Sequence, residues 1–585
     1  MKDFRDDIFC KIANYQITAC IYTDMDGVIS GVTDALNVAA EIGLTVNYTV
    51  SEGDEVFSGD LIAEISGTPK QICQAEDQLI GCISKYSGVA TAAKKFVEKA
   101  GPKMRVVCGS HKKATFEIKE KLRAAIVTGG AHIRISDEPM VYLDKNYVAM
   151  FGGIQKALMA VAQIMDRKKA IQIKGRNESG DIVREAWTAV SSGADIVYVD
   201  TGNVTDLKLV TDALKPKLKE LEETESYRHV EFAFGGGVVF SDMDAIRDAG
   251  ADIVGVGRAI IDAPLMDLRL EVTDVKDPSL THDGYNLLDK HELMIQGISL
   301  DETNLNELAA VVAEEIGVAP EDTLVIDVRD RAVALDILQS HLDPEKFISK
   351  EKTILKRLSQ LKGVCLDPGA QVTSNGMLGW IAGDEVDIDQ SRQEIARSKE
   401  IGMQIMKAVS RRVIVFPTGS EIESGEVEDT NTTLVMQKFS EAGFTAEKGE
   451  VLKDDLYLFS GKLRLAAENG YGVSITTGGV GAENKDFSVE AIQLLDPKAC
   501  TPYIAKFRAG HGRHSKDGIR IGVGQMGLTT YIALPGPNDE VSVCIDTVVK
   551  GVSEGWSKEI LAHEIAKLLR TRLQKKIGIE HSSVC

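Results

Sequence analysis

The 585-residue sequence has no apolar run near the length of about 18 residues that a membrane-crossing helix needs, so no transmembrane span is expected. Its opening, Met1-Lys-Asp-Phe-Arg-Asp-Asp7, is too acidic for a secretory signal, and a cytoplasmic setting is expected. The nine cysteines are scattered, with no Cys-X-X-Cys pair and no regular framework, which argues against a disulfide scaffold or a zinc knuckle. Positive charge is scarce as well. Lys and Arg total 67 against 88 Asp and Glu, a net charge of -21 with no basic stripe, so no nucleic-acid partner is expected. What remains is a globular composition, 44% hydrophobic and 26% charged, on a chain too long for one core.

Residue patterns divide the chain into four segments, 1–103, 104–275, 276–410 and 411–585. From Ile17 to Ile65 short alternating runs are separated by turns at Asp26-Gly27, Glu52-Gly-Asp54 and Ser58-Gly-Asp60, which predicts a strand-rich sheet. From Gln71 to Ala100 the spacing is helical. Strands are then expected at Ala170 to Ile173, Ala194 to Asp200, His229 to Phe234 and Ala251 to Gly257, alternating with helices. Repeated units of this kind predict a parallel α/β barrel, in which phosphate binds at the loops after the late strands. Gly235, Gly236 and Gly237 occupy one such loop and Gly255, Gly257 and Arg258 the other, a candidate anion cradle of backbone N–H groups and a guanidinium.

In the last segment, Tyr471-Gly-Val-Ser-Ile475 reads as a buried strand that runs into Thr477-Gly-Gly-Val-Gly481 and Asp486. Arg412-Val-Ile-Val-Phe-Pro417 leads likewise into Thr418-Gly-Ser420, with Asp429 a little beyond, and Tyr531 to Leu534 leads into Pro535-Gly-Pro537. Three strand ends carrying glycine turns suit an anion, because exposed N–H groups can surround it. This order of motifs resembles the molybdopterin-binding domain shared by molybdenum-cofactor biosynthesis proteins and the competence-damage family. The resemblance implies an α/β/α domain in which Thr418, Gly419, Ser420, Thr477, Gly478, Gly479, Gly481, Pro535 and Gly536 hold the phosphate end of molybdopterin. It also implies that Asp429 and Asp486 face the reacting or metal-bearing group. A basic loop, Lys506 to Lys516 with His511 and His514, is a further candidate for phosphate.

The first 275 residues resemble quinolinate phosphoribosyltransferase and its molybdate-transport-associated relatives through Asp26-Gly-Val-Ile-Ser-Gly31, Glu52 to Asp60, Ser87-Gly-Val-Ala-Thr91, Gly129-Gly130 and Ala263-Pro-Leu-Met-Asp-Leu268. The resemblance implies an N-terminal α/β sandwich followed by the barrel. It implies a basic dicarboxylate site from Lys112, Lys113, His132 and Arg134, and a role for Lys85 in the neighbouring subunit's pocket, hence a homodimer or higher oligomer. The departures weigh against the family's chemistry. Its Glu-Val-Glu strand is here Ile171-Gln-Ile-Lys-Gly175, so a carboxylate expected to help hold Mg²⁺ is Lys174, and only Asp200 keeps its acidic part.

Two functions are therefore weighed. One is a molybdopterin-related binding or maturation protein, of small phosphate-bearing ligands, whose barrel has lost transfer chemistry. The other is a phosphoribosyltransferase of NAD biosynthesis that uses Mg²⁺ and phosphoribosyl pyrophosphate. The segment 276–410 is expected to be a small α/β domain, with a helix from Asn304 to Ile316, a strand at Thr323 to Arg329 and a further helix from Ala334 to Leu342. It has no metal or triad spacing.

Overall fold

The computed structural model describes residues 3–176, 180–223, 229–277, 291–338, 344–374, 388–419, 422, 426, 428–507 and 515–577. No helix among them is long and apolar enough to cross a membrane. The chain forms two compact units, Met1–Ala13 with Ile17–Val275, and Asn14–Gln16 with Lys276–Cys585.

The first unit begins with a four-stranded sheet in the order Leu268–Lys276, Gln16–Thr23, Leu61–Gly67, Thr45–Thr49. Out of it runs the 32-residue helix Pro69–Ala100. Thr68 and Gln71 cap its start reciprocally, and Pro69 occupies the first turn, where no N–H is needed. The Ser87-Gly-Val-Ala-Thr91 stretch on this helix is structural. The Ser87 hydroxyl accepts from the Ser30 N–H at 2.9 Å and the Thr91 hydroxyl from the Val28 N–H at 2.9 Å. At Gly88 a Cβ would stand 2.1 Å from the Pro264 carbonyl oxygen, so only glycine lets that chain approach.

Six parallel strands follow, in the order Arg105–Val107, Ile253–Gly255, Glu231–Phe234, Ile196–Val199, Lys168–Ile173, Met140–Leu143. They make an α/β half-barrel rather than a closed ring. The two edge strands are not paired with each other, although His132 bridges to Val107 near one edge. The alternation of strand side chains sorts them cleanly. Ile171, Ile173, Val197, Val199, Phe232 and Phe234 pack into the large core with the helices, while Ala170, Ile196, Ala233 and Ile253 form a second cluster with Tyr142 and Tyr198 against it.

The second unit holds two principal sheets. The first is antiparallel, in the order Thr323–Arg329, Ala332–Ile337, His291–Leu300, Val364–Thr373. The helix Leu305–Ile316 starts at the Asn304 cap as the pattern predicts. The helix expected from Ala334 is instead a central strand. Asp330 and Arg331, at φ 50° and 62°, make the tight reversal that pairs Ala332 with Arg329, and pairing on both sides overrides local helix propensity.

The other sheet runs Thr445–Lys448, Arg412–Pro417, Val473–Thr477, Thr529–Leu534, Gly522–Met526, parallel except for the last strand. From Arg412–Pro417 the chain passes through helix Thr430–Glu441 to the strand on one side. It then returns through helix Leu456–Glu468 to Val473–Thr477 on the other side. The connections therefore diverge between Arg412–Pro417 and Val473–Thr477. A crevice beyond the carboxyl ends of such a strand pair is where open α/β sheets bind ligands.

Candidate functional sites

The half-barrel opens into a cavity of ≈ 1010 Å³ at the carboxyl ends of its strands. Of the residues singled out in the sequence, it gathers Asp200, Gly236, Gly237, Gly255, Gly257, Arg258, Lys112, Lys113 and Arg134 into one lining. Gly235, His132 and Lys85 are not part of it. Gly235 and the lining residue Gly255 both flank the Tyr198 hydroxyl, which a Cβ on either would approach to 2.1 and 2.2 Å. His132 lies near Asp137, Nδ1 to Oδ1 3.3 Å. The Lys85 ammonium donates to the carbonyls of Ile261 and Ala263 at 3.0 and 3.4 Å, capping the end of the short helix Arg258–Ile261 within its own unit.

What is left of the cradle is well formed. Gly236 and Gly237 adopt φ of 110° and 94°, which the turn after the Glu231–Phe234 strand requires. No hydrogen bond engages the N–H groups of Gly236, Gly237 or Gly257 among the described residues, and all three glycines line the cavity. Lys112, Lys113 and Arg134 make no ion pair among the described residues, so three positive charges face this space unneutralised in an otherwise acidic protein. Arg258 is paired with Asp262 at 3.2 Å and Arg123 with Glu120 at 2.6 Å.

The cavity also has residues that the sequence reading did not single out. Tyr142 and Tyr198 contact edge to face at 6.3 Å, and Lys112 sits 5.9 Å over the Tyr142 ring. Burial pushes both phenols far up, helped at Tyr142 by Tyr198 and Asp200 and at Tyr198 by Asp200, so they stay protonated at neutral pH. His111 is buried, its Nδ1 donating to the Cys108 carbonyl at 3.0 Å, and burial lowers its pKa, which keeps the ring neutral. The available signal was period-two alternation: Tyr198 lies two residues before Asp200 and so faces the same way.

Asp200 is not free. Lys174 Nζ lies 2.9 Å from its Oδ2 and donates to its carbonyl at 2.9 Å, and the Gln172 amide donates to the same carboxylate.

In the second unit the loops at Thr418, Gly478 and Gly536 do converge. The Thr418 N–H and hydroxyl both donate to the Thr477 carbonyl at 3.1 Å, and the Gly478 N–H donates to the Leu534 carbonyl at 2.9 Å. The Asn431 amide donates to the Gly536 carbonyl at 2.6 Å, and a Cβ on Gly536 would lie 3.7 Å from the Gly478 Cα. Ser420, His511 and His514 lie outside the described residues.

The N–H groups of Gly479, Val480 and Gly481 carry no hydrogen bond among the described residues, and the buried Thr477 hydroxyl has no partner there. Those unpaired groups at a strand end fit the phosphate end of a pterin.

The two carboxylates do different work. At the start of helix Thr430–Glu441 the Asp429 carboxylate is largely covered, accepts from the Thr432 N–H at 3.0 Å and pairs with Lys448 at 2.9 Å. Burial raises its pKa, but Lys448 and the Thr432 bonds outweigh burial and hold it below the usual carboxylate range. Asp486 accepts from the Glu483 N–H at 2.8 Å and so closes its own loop, while Lys516 donates to its carbonyl and pairs with Glu490 at 2.6 Å. No group of three or more metal-ligating side chains occurs among the described residues, so the two aspartates are not joined into a metal centre by protein ligands alone.

Known proteins match the two regions of the chain that hold these candidate sites. Residues 7–87 and 89–271 match the N-terminal and C-terminal domains of quinolinate phosphoribosyl transferase, and residues 414–554 match the family described as probable molybdopterin binding domain. A probable nicotinate-nucleotide pyrophosphorylase of Methanothermobacter thermautotrophicus is 24% identical over 265 residues, 45% of this chain and 90% of its own. That of Archaeoglobus fulgidus is 26% identical over 264 residues, 45% of this chain and 96% of its own. Among solved structures, the protein CinA of unknown function from Thermoplasma acidophilum matches at 17% identity, covering 25% of this chain and 99% of its own, with a TM-score of 0.21. The chain is thus a fusion of a quinolinate phosphoribosyl transferase-like half, matched in both of that family's domains, with a region that matches a probable molybdopterin-binding domain.

Proposed function

We propose that the protein binds molybdopterin, or a nucleotide conjugate of it, in its C-terminal domain, and a small phosphate-bearing ligand in a half-barrel that no longer transfers phosphoribosyl groups. The observation that carries the first part is the convergence of the Thr418, Gly478 and Gly536 loops at the point where the strand connections diverge, with three glycine-loop N–H groups unpaired. Thr418 and the loop from Thr477 to Gly481 hold the phosphate end. Asp429, fixed and ionised by Lys448, orients the first turn of its helix and with it Asn431, which steadies the Gly536 loop.

The half-barrel reading rests on the unpaired glycine N–H groups and on Lys112, Lys113 and Arg134. The loss of transfer rests on the lining, whose only carboxylates among the described residues are Asp200 and Asp262, both already paired. We further propose a cytoplasmic homo-oligomer. The second reading, phosphoribosyl transfer in NAD biosynthesis, is favoured by the match to both transferase domains. Incubation with quinolinate, phosphoribosyl pyrophosphate and Mg²⁺ separates the two: the proposal expects no release of pyrophosphate and CO₂, and robust release would overturn it.

A further inference from the structure

The sheet register itself brings Lys174 to Asp200. Ile173 pairs with Val199, so the next residue of each strand, Lys174 and Asp200, emerges side by side at the mouth of the half-barrel. Lys174 is held there. Its own N–H and that of Gly175 donate to the buried Glu185 carboxylate at 3.1 and 2.9 Å, which fixes the backbone from which the ammonium projects. Its Nζ meets the Asp200 side chain at 2.9 Å and the Asp200 carbonyl at 2.9 Å. On the other flank the Gln172 amide donates to Asp200, while its carbonyl accepts from the Lys145 N–H at 2.8 Å, so the amide cannot rotate away without breaking that bond.

A divalent cation at this mouth would need carboxylates to hold it, one or two at least for Mg²⁺ alongside phosphate oxygens. Among the described residues, Asp200 and Asp262 are the acids in the lining. One already carries an ammonium and an amide, the other a guanidinium. The residues present therefore do not fit Mg²⁺. They do fit an anion taken up directly, since Lys112, Lys113 and Arg134 supply charge and Gly236, Gly237 and Gly257 supply N–H groups.

We propose that the half-barrel binds its phosphate-bearing ligand as the free anion, without a divalent cation, and that the Lys174 ammonium takes the place on Asp200 that such a cation would occupy. This rests on the reading of the cavity as a phosphate site. The test is calorimetric titration of the full chain with ribose 5-phosphate, a probe that itself holds Mg²⁺ only weakly, in EDTA and again in millimolar Mg²⁺.

The expected result is the same affinity in both buffers, within about twofold, retained in Lys174→Arg. Arg134→Glu, which removes a cavity charge, should weaken binding in both buffers by at least about tenfold, a change expected when a charge-assisted contact is lost. Lys174→Glu would place two carboxylates side by side. It should lose affinity in EDTA by about tenfold or more and regain it with Mg²⁺.

Wild-type binding that requires Mg²⁺ would overturn the inference alone. Binding by Lys174→Glu in EDTA as tight as wild type would overturn it too. No binding of the probe in either buffer would instead remove the phosphate reading on which it rests. Should Lys174→Glu fail to fold, as a thermal melt would show, the wild-type comparison of the two buffers still decides.

Discussion

At the scale of single residues, two glycines expected to help bind phosphate, Gly235 and Gly255, also stand against the Tyr198 hydroxyl. A methyl at Gly255 would stand 2.2 Å from the Tyr198 hydroxyl, well inside contact distance, and the buried phenol has little room to withdraw. Gly255→Ala should therefore destabilise the first unit by about 1–3 kcal/mol, the usual range for overpacking, seen as a lower denaturant midpoint. Gly237→Ala meets no neighbouring atom, so any effect on stability comes from its φ of 94° alone. An equal loss in both variants would contradict the packing argument.

Charge gives a second residue-scale expectation. Asp429 and Asp496 are each held below the usual carboxylate range despite burial, Asp429 by Lys448 and the Thr432 bonds, and Asp496 by Lys558 at 2.7 Å and the N–H groups of Gln525 and Lys498. A depressed folded pKa means stability that is complete above the unfolded value, about 3.9 for Asp, and lost as pH falls through the folded value. Urea midpoints of the full chain should thus fall steeply below about pH 4, and Asp429→Asn should flatten that fall. A midpoint for Asp429→Asn with the wild-type pH dependence would refute the assignment.

At the scale of elements, the long helix Pro69–Ala100 ties the N-terminal sheet to the half-barrel through side chains rather than through a broad apolar face alone. Thr91→Val removes the acceptor for the buried Val28 N–H and should cost about 1–3 kcal/mol, because an orphaned buried donor is dearer than a lost bond is worth. Its effect on ribose 5-phosphate binding should be slight. Thermal denaturation and calorimetry on the same variant check both halves of that statement.

Much of this scale was legible in advance. The alternating units, the Asn304 cap with its closing Gly317, and the three strand ends with glycine turns all appear where local pattern puts them, because turn chemistry and caps are local. The Ala332–Ile337 strand was not legible, since its Ala, Leu and Asp suit a helix as well and its second partner, His291–Leu300, lies well back along the chain, although the first is the adjacent strand across the Asp330-Arg331 turn. The candidate sites divide in the same way. Glycine loops are local features and were found, whereas the capping use of Lys85 and the commitment of Asp200 to Lys174 and Gln172 depend on strand register and on contacts across 176 and 28 residues.

At the scale of the whole molecule, two phosphate-suited sites lie on one chain, and they differ in construction. The half-barrel site combines unpaired glycine N–H groups with three unneutralised cations and a tyrosine pair. The C-terminal site is a crevice at a divergence of strand connections, framed by three glycine turns. The central claim is that the second of these is the molybdopterin site. Calorimetric titration of the full chain with molybdopterin tests it most directly. The account predicts saturable binding that Asp486→Asn leaves intact at the phosphate end, since Asp486 braces its own loop through a neutral-tolerant bond to the Glu483 N–H. No detectable heat with molybdopterin, together with tight binding of a pyridine nucleotide, would contradict it and move the whole protein into nicotinamide metabolism.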